Sequence, residues 1–347
     1  MTKTKANMRD VARAADVSLS TVWMVVNEKP GISHETAERV RQVIDELGYV
    51  VKSGGRRVVE PARTIGLLIE ESSIPAISDV FYGDVIRGIQ AEADAVGYQL
   101  VLSVFKREMH NSAGDRPAPL EQISGLVIAN DGDITPAAIM KLISPTLPVV
   151  LIESHIDDAR LSCVLGDNFY AGYEITNHVL DLGHRRVALL KGPTKYSSLV
   201  DRLRGCLAAI AERKLNVPEA WLPEPIRGHP LKGYMQMREI LAGSDDDRPT
   251  AVIAISDKTA LGAMEAIREV GLRIPEDISI ASIDNTRESA FSRPPLTTVQ
   301  IPKYEIGVLA MRKLHDIIEG RNTLTYKSVV YSELVLREST RRIDSYK

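Results

Sequence analysis

The chain is poor in the features that mark secreted, membrane and metal-holding proteins. Its 347 residues include only two cysteines, Cys163 and Cys206. These have neither metal-ligand spacing nor a framework partner, so two reduced thiols in or near the core are expected. No run of about 18 uncharged apolar residues occurs, which excludes a membrane-spanning helix. The opening MTKTKANMRD lacks the apolar stretch of a secretory signal, so a cytoplasmic protein is expected. G-x-S-x-G, H-E-x-x-H and P-loop patterns are absent, and GPTKYSSLVDRLRG is not a G-x-G-x-x-G loop. Nothing in the sequence therefore points to an enzyme, a cofactor or a metal. An overall excess of positive charge is missing too, since 43 Lys and Arg face 46 Asp and Glu. Only residues 1–63 run the other way, with 11 basic against 8 acidic residues, while the remainder holds 32 against 38. The basic end is where a polyanion would bind.

What is present suits two or three domains, given the length and an ordinary globular composition of 44% hydrophobic and 26% charged residues. Three short helices are expected in the first fifty residues. Asn7 caps MRDVARAA, Ser18 caps LSTVWMVVN, and Ser33 caps HETAERVRQVIDELG, in which Ala37, Val40, Ile44 and Leu47 share a face and Gly48 ends the helix. Only Asp16, Val17 and Ser18 connect the first two helices, so they must cross steeply, as in a helix-turn-helix. In the second helix Val22, Val25 and Val26 form the docking face at i, i+3, i+4. Leu19, Ser20, Trp23 and Met24 then face outward, and a ligand-free three-helix bundle would leave that apolar side without a use.

The segment MRDVARAADVSLSTVWMVVNEKPGISHETAERVRQVIDELGYV resembles the DNA-binding headpiece of the LacI/GalR family of bacterial transcriptional regulators, with the D-V-A, V-S, T-V, V-V-N, I-S and L-G-Y elements at that family's spacings. The resemblance implies that the second helix enters the major groove. It assigns base-edge contacts to Leu19, Ser20 and Met24. Ser18, Thr21 and Trp23 fall near phosphates or the groove floor, and Asn27 joins this set. The family's usual Ser-Arg is replaced here by Trp23-Met24. Methionine donates no hydrogen bond, so guanine reading gives way to apolar contact suited to thymine methyls. Packing of Trp23 on the third helix or on the core is the competing role.

After Tyr49 the family usually carries a hinge helix whose Leu wedges into the minor groove. This chain has Gly54-Gly55 in that window and Val58 at the aligned Leu position. Two glycines cost a helix about 2 kcal/mol relative to alanine, so a weak hinge or a plain tether is expected without DNA. Arg56 and Arg57 are left as phosphate or minor-groove contacts, with a solvated linker as the alternative.

From Arg63 short apolar strands alternate with helices. TIGLLIE, YQLVLSV, GLVIA, PVVLIE, RRVALLKG, TAVIAIS and ISIASI are strand-like. DVFYGDVIRGIQAEADAVG, FYAGYEITNHVLDLG, DRLRGCLAAIAERK and KTALGAMEAIREVG are helix-like. The alternation predicts parallel, doubly wound sheets in two α/β subdomains. The resemblance extends to about Ser339 and implies a core like that of periplasmic sugar-binding proteins. Residues 106–120 depart from it, with Pro117 and Pro119 cutting short an expected helix. The expected layout is a helix-turn-helix domain at 1–50, a hinge at 51–63 and an effector core at 64–340. Its first subdomain takes 64–166 and 299–326 and its second 167–298 and 327–340, with crossings near Asp167, Thr298 and Tyr326.

Ligands of open α/β sheets bind beyond the carboxyl ends of the strands. Glu153, Ser256 and Asp284 follow strands there, and Arg202 is expected to begin a helix after a strand and loop. Two carboxylates, a guanidinium and a hydroxyl suit a polyhydroxy ligand. The resemblance places effector contacts at the same positions and adds Phe81 and Tyr82 as an aromatic wall. Tyr196 and Ser198 are further candidates, with loop roles as the alternative for these two and for Glu153 and Ser256; His229 stands near a family aromatic position, with an exposed loop histidine as the alternative, and Asp245-Asp246-Asp247 reads as a solvated loop. The expected function is a DNA-binding regulator, a homodimer on a near-palindromic operator, controlled by a sugar-like effector. A sugar receptor without a DNA role and a Rossmann-like enzyme are the alternatives.

Overall fold

The computed structural model describes residues 7–26, 29, 31–47, 63–70, 80–105, 122–130, 134–142, 147–154, 156, 160–225, 232–244 and 248–343. The chain divides into a unit of residues 1–62 and a unit of residues 63–347.

The first unit contains α1 (Met8–Ala14), α2 (Leu19–Val26) and α3 (His34–Glu46). Asn7 caps α1 through a capping box, its side chain accepting from the amides of Arg9 and Asp10 while the Asp10 carboxylate accepts from the Asn7 amide. Ser18 Oγ accepts from the Thr21 amide at 3.1 Å and Ser33 Oγ from the Thr36 amide at 3.3 Å, so the expected caps of α2 and α3 are in place. Asp16 adopts φ 51°, a left-handed conformation that turns the chain between α1 and α2 within three residues. Val11, Ala15, Val22, Val25 and Val40 form the small core, with Val26, Ala37, Val43 and Ile44 packed against it. Leu47, expected on the core face of the third helix, is 41% exposed instead. It follows the last residue of α3, its amide still donating to the Val43 carbonyl at 3.0 Å, and Val43 one turn earlier packs on the core.

The second unit begins with β1 (Thr64–Glu70), α4 (Val80–Ala95), β2 (Gln99–Phe105), β3 (Gly125–Ala129), α5 (Pro136–Leu142), β4 (Val149–Ile152) and β5 (Ser162–Gly166). It continues with α6 (Asn168–Asp181), β6 (Val187–Leu190), α7 (Ser197–Glu212), α8 (Lys232–Leu241), β7 (Ala251–Ala254) and α9 (Asp257–Glu269). The remaining elements are β8 (Ser279–Ile283), α10 (Arg287–Phe291), β9 (Thr297–Gln300), α11 (Lys303–Ile318), β10 (Lys327–Val330) and β11 (Glu333–Val335). One six-stranded sheet runs β10-β5-β4-β3-β1-β2 with every pair parallel. The other runs β11-β9-β8-β7-β6, parallel except for its antiparallel edge strand β11. β3, β4, β5, β6, β7 and β8 are buried throughout, as strands covered by helices on both faces must be.

The crossings between the two halves differ from the expected ones. The first falls between Gly166, where β5 of the first sheet ends, and Asn168, where α6 begins. The second follows Gln300, because β9 pairs with β8 in the second sheet. The third follows Val330, because β10 pairs with β5 in the first. Residues 299–300 therefore belong to the second half and 327–330 to the first. Backbone pairing decides the membership of such short strands, and their hydrophobic pattern does not report it.

Helix pairs approach closely where glycines meet carbonyls. A Cβ on Gly172 of α6 would lie 1.9 Å from the Arg202 carbonyl of α7, and one on Gly205 of α7 would lie 2.0 Å from the Phe169 carbonyl. This backbone-to-backbone contact holds the Arg202 turn of α7 against the start of α6. Cys163 and Cys206 are both free and buried in the core, as expected.

Candidate functional site

Two groups of residues carry chemistry. On α2, Leu19 is 44% and Trp23 48% exposed, one helical turn apart on the side away from Val22 and Val25. Ser20 is exposed beside them, while Thr21 and Met24 are half-buried. The Ser18 hydroxyl lies 2.7 Å from that of Ser20 and 2.8 Å from that of Thr21, so all three are held at the helix start. A Cβ on Gly31 would sit 3.5 Å from the Met24 methyl, which places Met24 against the turn that follows α2. The helix has no charged side chain in its first or last turn, so its outward surface is apolar and hydroxylic. Asn27, Arg56, Arg57, Val58 and the Gly54-Gly55 pair lie outside the described residues, as do Gly48, residues 106–120, His229 and Asp245-Asp246-Asp247.

In the second unit a buried polar chain joins the two halves. Glu153, at φ 53° just past β4, accepts from the Gly166 amide at 2.7 Å and from Asn168 Nδ2 at 3.0 Å. Asn168 Oδ1 accepts from Arg202 Nε at 2.8 Å. Arg202 Nη1 donates to the Ile255 carbonyl at 2.9 Å and to Asp284 Oδ1 at 2.8 Å. Lys303 Nζ, at the start of α11, donates to the Asp284 carbonyl at 2.9 Å. Arg202 stands in the second turn of α7 and does not begin the helix, because α7 starts at Ser197. The Arg202 side chain is only 3% exposed and that of Asp284 13%. A pair so far out of water is held by geometry, each partner satisfying a charge that would be costly alone. Burial pulls the Lys303 ammonium below its usual range, against the opposing pull of Asp284. Burial, with Asp284 second, pushes the neighbouring Asp257 carboxyl up. Asp257 accepts from the Ser282 and Thr298 hydroxyls and the Thr286 amide, which ties the turn after β8 in place.

The other expected effector residues are spread more widely. Ser256 caps α9, its Oγ accepting from the Thr259 amide at 3.3 Å. Tyr196 precedes α7 with Lys195 Nζ over its ring at 4.4 Å. Both line a pocket of about 340 Å³ together with Lys191, Leu199, Lys232 and Lys258. Ser198 is buried in the first turn of α7. Phe81 lies in the first turn of α4. Tyr82, in the same turn, is 7% exposed and packs within the central cluster. The carboxylate and guanidinium candidates thus come together, and Tyr196 and Ser256 sit beside them on the pocket. Sequence reasoning missed Asn168, Lys303 and the pocket lysines. Asn168 directly follows Asp167, at the first crossing, which was the one available signal.

Burial raises the Cys163 thiol to about 12 and the Cys206 thiol to about 11, so neither is a nucleophile at neutral pH. Among the described residues no group of three or more His, Cys, Asp and Glu side chains could hold a metal, and no helix is long and apolar enough to cross a membrane.

Residues 7–51 match the model described as bacterial regulatory proteins, lacI family, and residues 176–340 that of a periplasmic binding protein-like domain. The ribose operon repressor of Haemophilus influenzae is 31% identical over 96% of this chain and 98% of its own length. The chain belongs to the lacI family. Solved lacI-family structures share its fold. A transcriptional regulator CelR–cellobiose complex matches with a TM-score of 0.70 and 27% identity over 96% of this chain and 99% of that one. The lac repressor dimer bound to operator and an anti-inducer matches with a TM-score of 0.67 and 25% identity over 97% and 100%. As a lacI-family member the chain is a DNA-binding transcriptional regulator with an effector-binding domain, and it is not an enzyme.

Proposed function

We propose that this regulator acts in the cytoplasm as a homodimeric repressor, with α2 of each protomer reading one half of a near-palindromic operator and a sugar-like effector controlling the complex. The exposed Leu19 and Trp23 pair on the side of α2 that the headpiece core leaves unused carries the reading. Leu19, Ser20 and Met24 meet base edges, and Ser18, Thr21, Trp23 and Asn27 meet phosphates or the groove floor, with Arg56, Arg57 and Val58 continuing the contact along the linker. With no cation on α2, affinity comes from phosphate contacts made elsewhere, and specificity comes from methyl-rich base edges. The relatives named for ribose and cellobiose support a carbohydrate ligand.

In the core, the effector competes for the hydrogen-bonding groups of Arg202, Asp284 and Glu153, with Ser256, Tyr196 and Ser198 beside them. The polar chain from Glu153 to Lys303 links the two halves, so exchanging its bonds for ligand contacts alters how they are held. The ligand shifts the regulator between states only through unequal affinity for them. Selection from random duplexes by the full-length protein tests the DNA role. A two-fold motif of about 14–20 base pairs is expected, with binding that falls steeply with salt. An asymmetric motif, or none, rejects the proposal.

A further inference from the structure

We propose that the effector is an anionic sugar derivative, its phosphate or carboxylate held in the pocket between Lys191, Lys232 and Lys258. The inference rests on the effector role proposed above and adds the sign of the ligand's charge. The pocket of about 340 Å³ has three lysines on its wall and, among the described residues, no carboxylate in its lining. This basic concentration lies in the part of the chain that holds 32 basic against 38 acidic residues, so it does not reflect a generally basic surface.

Backbone packing forces the lysines together. A Cβ on Gly233 would lie 1.8 Å from the Thr259 carbonyl, so the first turns of α8 and α9 touch without side chains between them, and Lys232 and Lys258 face one pocket. Lys232 loses proton affinity first to burial and then to the like charges of Lys195 and Lys258. Lys191 pairs with Glu224, whose side chain is 79% exposed and therefore well screened by water. An anion entering the pocket would relieve this crowding.

The same wall is built from the starts of three helices. Tyr196 precedes α7 and gives it no side-chain cap, Lys232 and Gly233 open α8, and Ser256, Lys258 and Thr259 open α9. Their dipoles add positive potential to that of the ammonium groups. The pocket also abuts the proposed sugar-binding groups, because Ser256 lines it while the adjacent Ile255 carbonyl accepts from Arg202. A ring hydrogen-bonded near Arg202 and Asp284 would extend a phosphate or carboxylate toward the lysines.

The test measures thermal shifts and calorimetric affinities of the full chain at constant ionic strength. The probes are ribose against ribose 5-phosphate, glucose against glucose 6-phosphate, gluconate and glucuronate, with inorganic phosphate as control. At least one anionic sugar is expected to bind at least tenfold more tightly than its neutral parent and than inorganic phosphate. Lys232→Gln and Lys258→Gln should each weaken it about tenfold without lowering the ligand-free melting temperature, since each removes one charge-assisted hydrogen bond to the ligand and relieves like-charge crowding in its absence. The phosphate and acid arms distinguish the two sources of charge. Equal binding of a neutral sugar, or full binding of the anion by both lysine variants, overturns the charge assignment and leaves the effector role standing. Binding of inorganic phosphate as tight as that of every sugar overturns it as well, reducing the site to an adventitious anion only. If no sugar, charged or neutral, shifts stability or operator affinity, the effector role itself fails.

Discussion

Removing one member of the Arg202–Asp284 pair should damage the core far more than removing both. Arg202→Met keeps the apolar stem but orphans the Asp284 carboxylate, the Ile255 carbonyl and Asn168 Oδ1, all of which accept from the guanidinium. Breaking a buried ion pair from one side costs about 3–5 kcal/mol, because a charge is left in a poor solvent without its partner. For a domain of this size each kcal/mol corresponds to about 2–4 °C, so melting should fall by roughly 6–20 °C. Asp284→Leu should cost a similar amount, since it leaves the guanidinium buried. The double variant Arg202→Met/Asp284→Leu orphans neither charge of the pair, removes the attraction and the repulsion on Lys303 together, and leaves neutral acceptors without donors, worth about 1–3 kcal/mol each at most. It is therefore expected to melt above either single variant, with a coupling of at least about 2 kcal/mol in the double-mutant cycle. Chemical denaturation of the four proteins, followed by circular dichroism, measures each corner. Singles costing less than about 1 kcal/mol, or a double costing the sum of the singles, would refute the account of Arg202 and Asp284 as a pair sustained by mutual compensation. The double variant should also bind operator without responding to any effector, because both proposed ligand-binding groups are gone while the headpiece is untouched.

In the headpiece, Met24→Arg should move the preferred base toward guanine at one position in each half-site, and an unchanged motif would show that Met24 points away from the bases. Stability should also depend on pH through His184, which is 1% exposed and held between Thr250 Oγ1 at 3.0 Å and the Arg341 carbonyl at 3.1 Å. Burial lowers its pKa from the ordinary value of 6.5, so the folded state prefers the neutral ring while the unfolded chain takes up a proton. This contribution is present above about 6.5 and is lost as the pH falls below that value toward the depressed folded pKa. Melting temperatures between pH 7.5 and roughly 5.5 should decline, and His184→Gln should decline less. Parallel profiles for the two proteins would remove His184 from the explanation.

The sequence by itself determined the elements whose signals are local. Caps at Asn7, Ser18 and Ser33, the valine spacing of α2, and the alternation of apolar strands with amphipathic helices depend on residues within one or two turns of each other, and they appear where they were expected. The exposed Leu19 and Trp23 were legible for the same reason, since a helical period places residues on faces without reference to the rest of the chain. Strands β5, β9, β10 and β11 were not, because polar residues such as Ser162, Thr297, Thr298, Lys327 and Glu333 interrupt their apolar runs and their pairing depends on partners far away in the chain. The crossings moved with them, as pairing of β9 and β10 assigns residues to sheets. Arg202, Asp284 and Glu153 could be proposed singly from their places after strands and in a helix, but only the tertiary structure decided that Asn168 joins Glu153 to Arg202 and that Lys303 closes the chain on Asp284. The lysine pocket is the extreme case. Lys191, Lys232 and Lys258 come from three separate segments, each an ordinary surface lysine in its own stretch. They become one positive site because α8 and α9 touch through Gly233 and deliver their first turns to the same cavity.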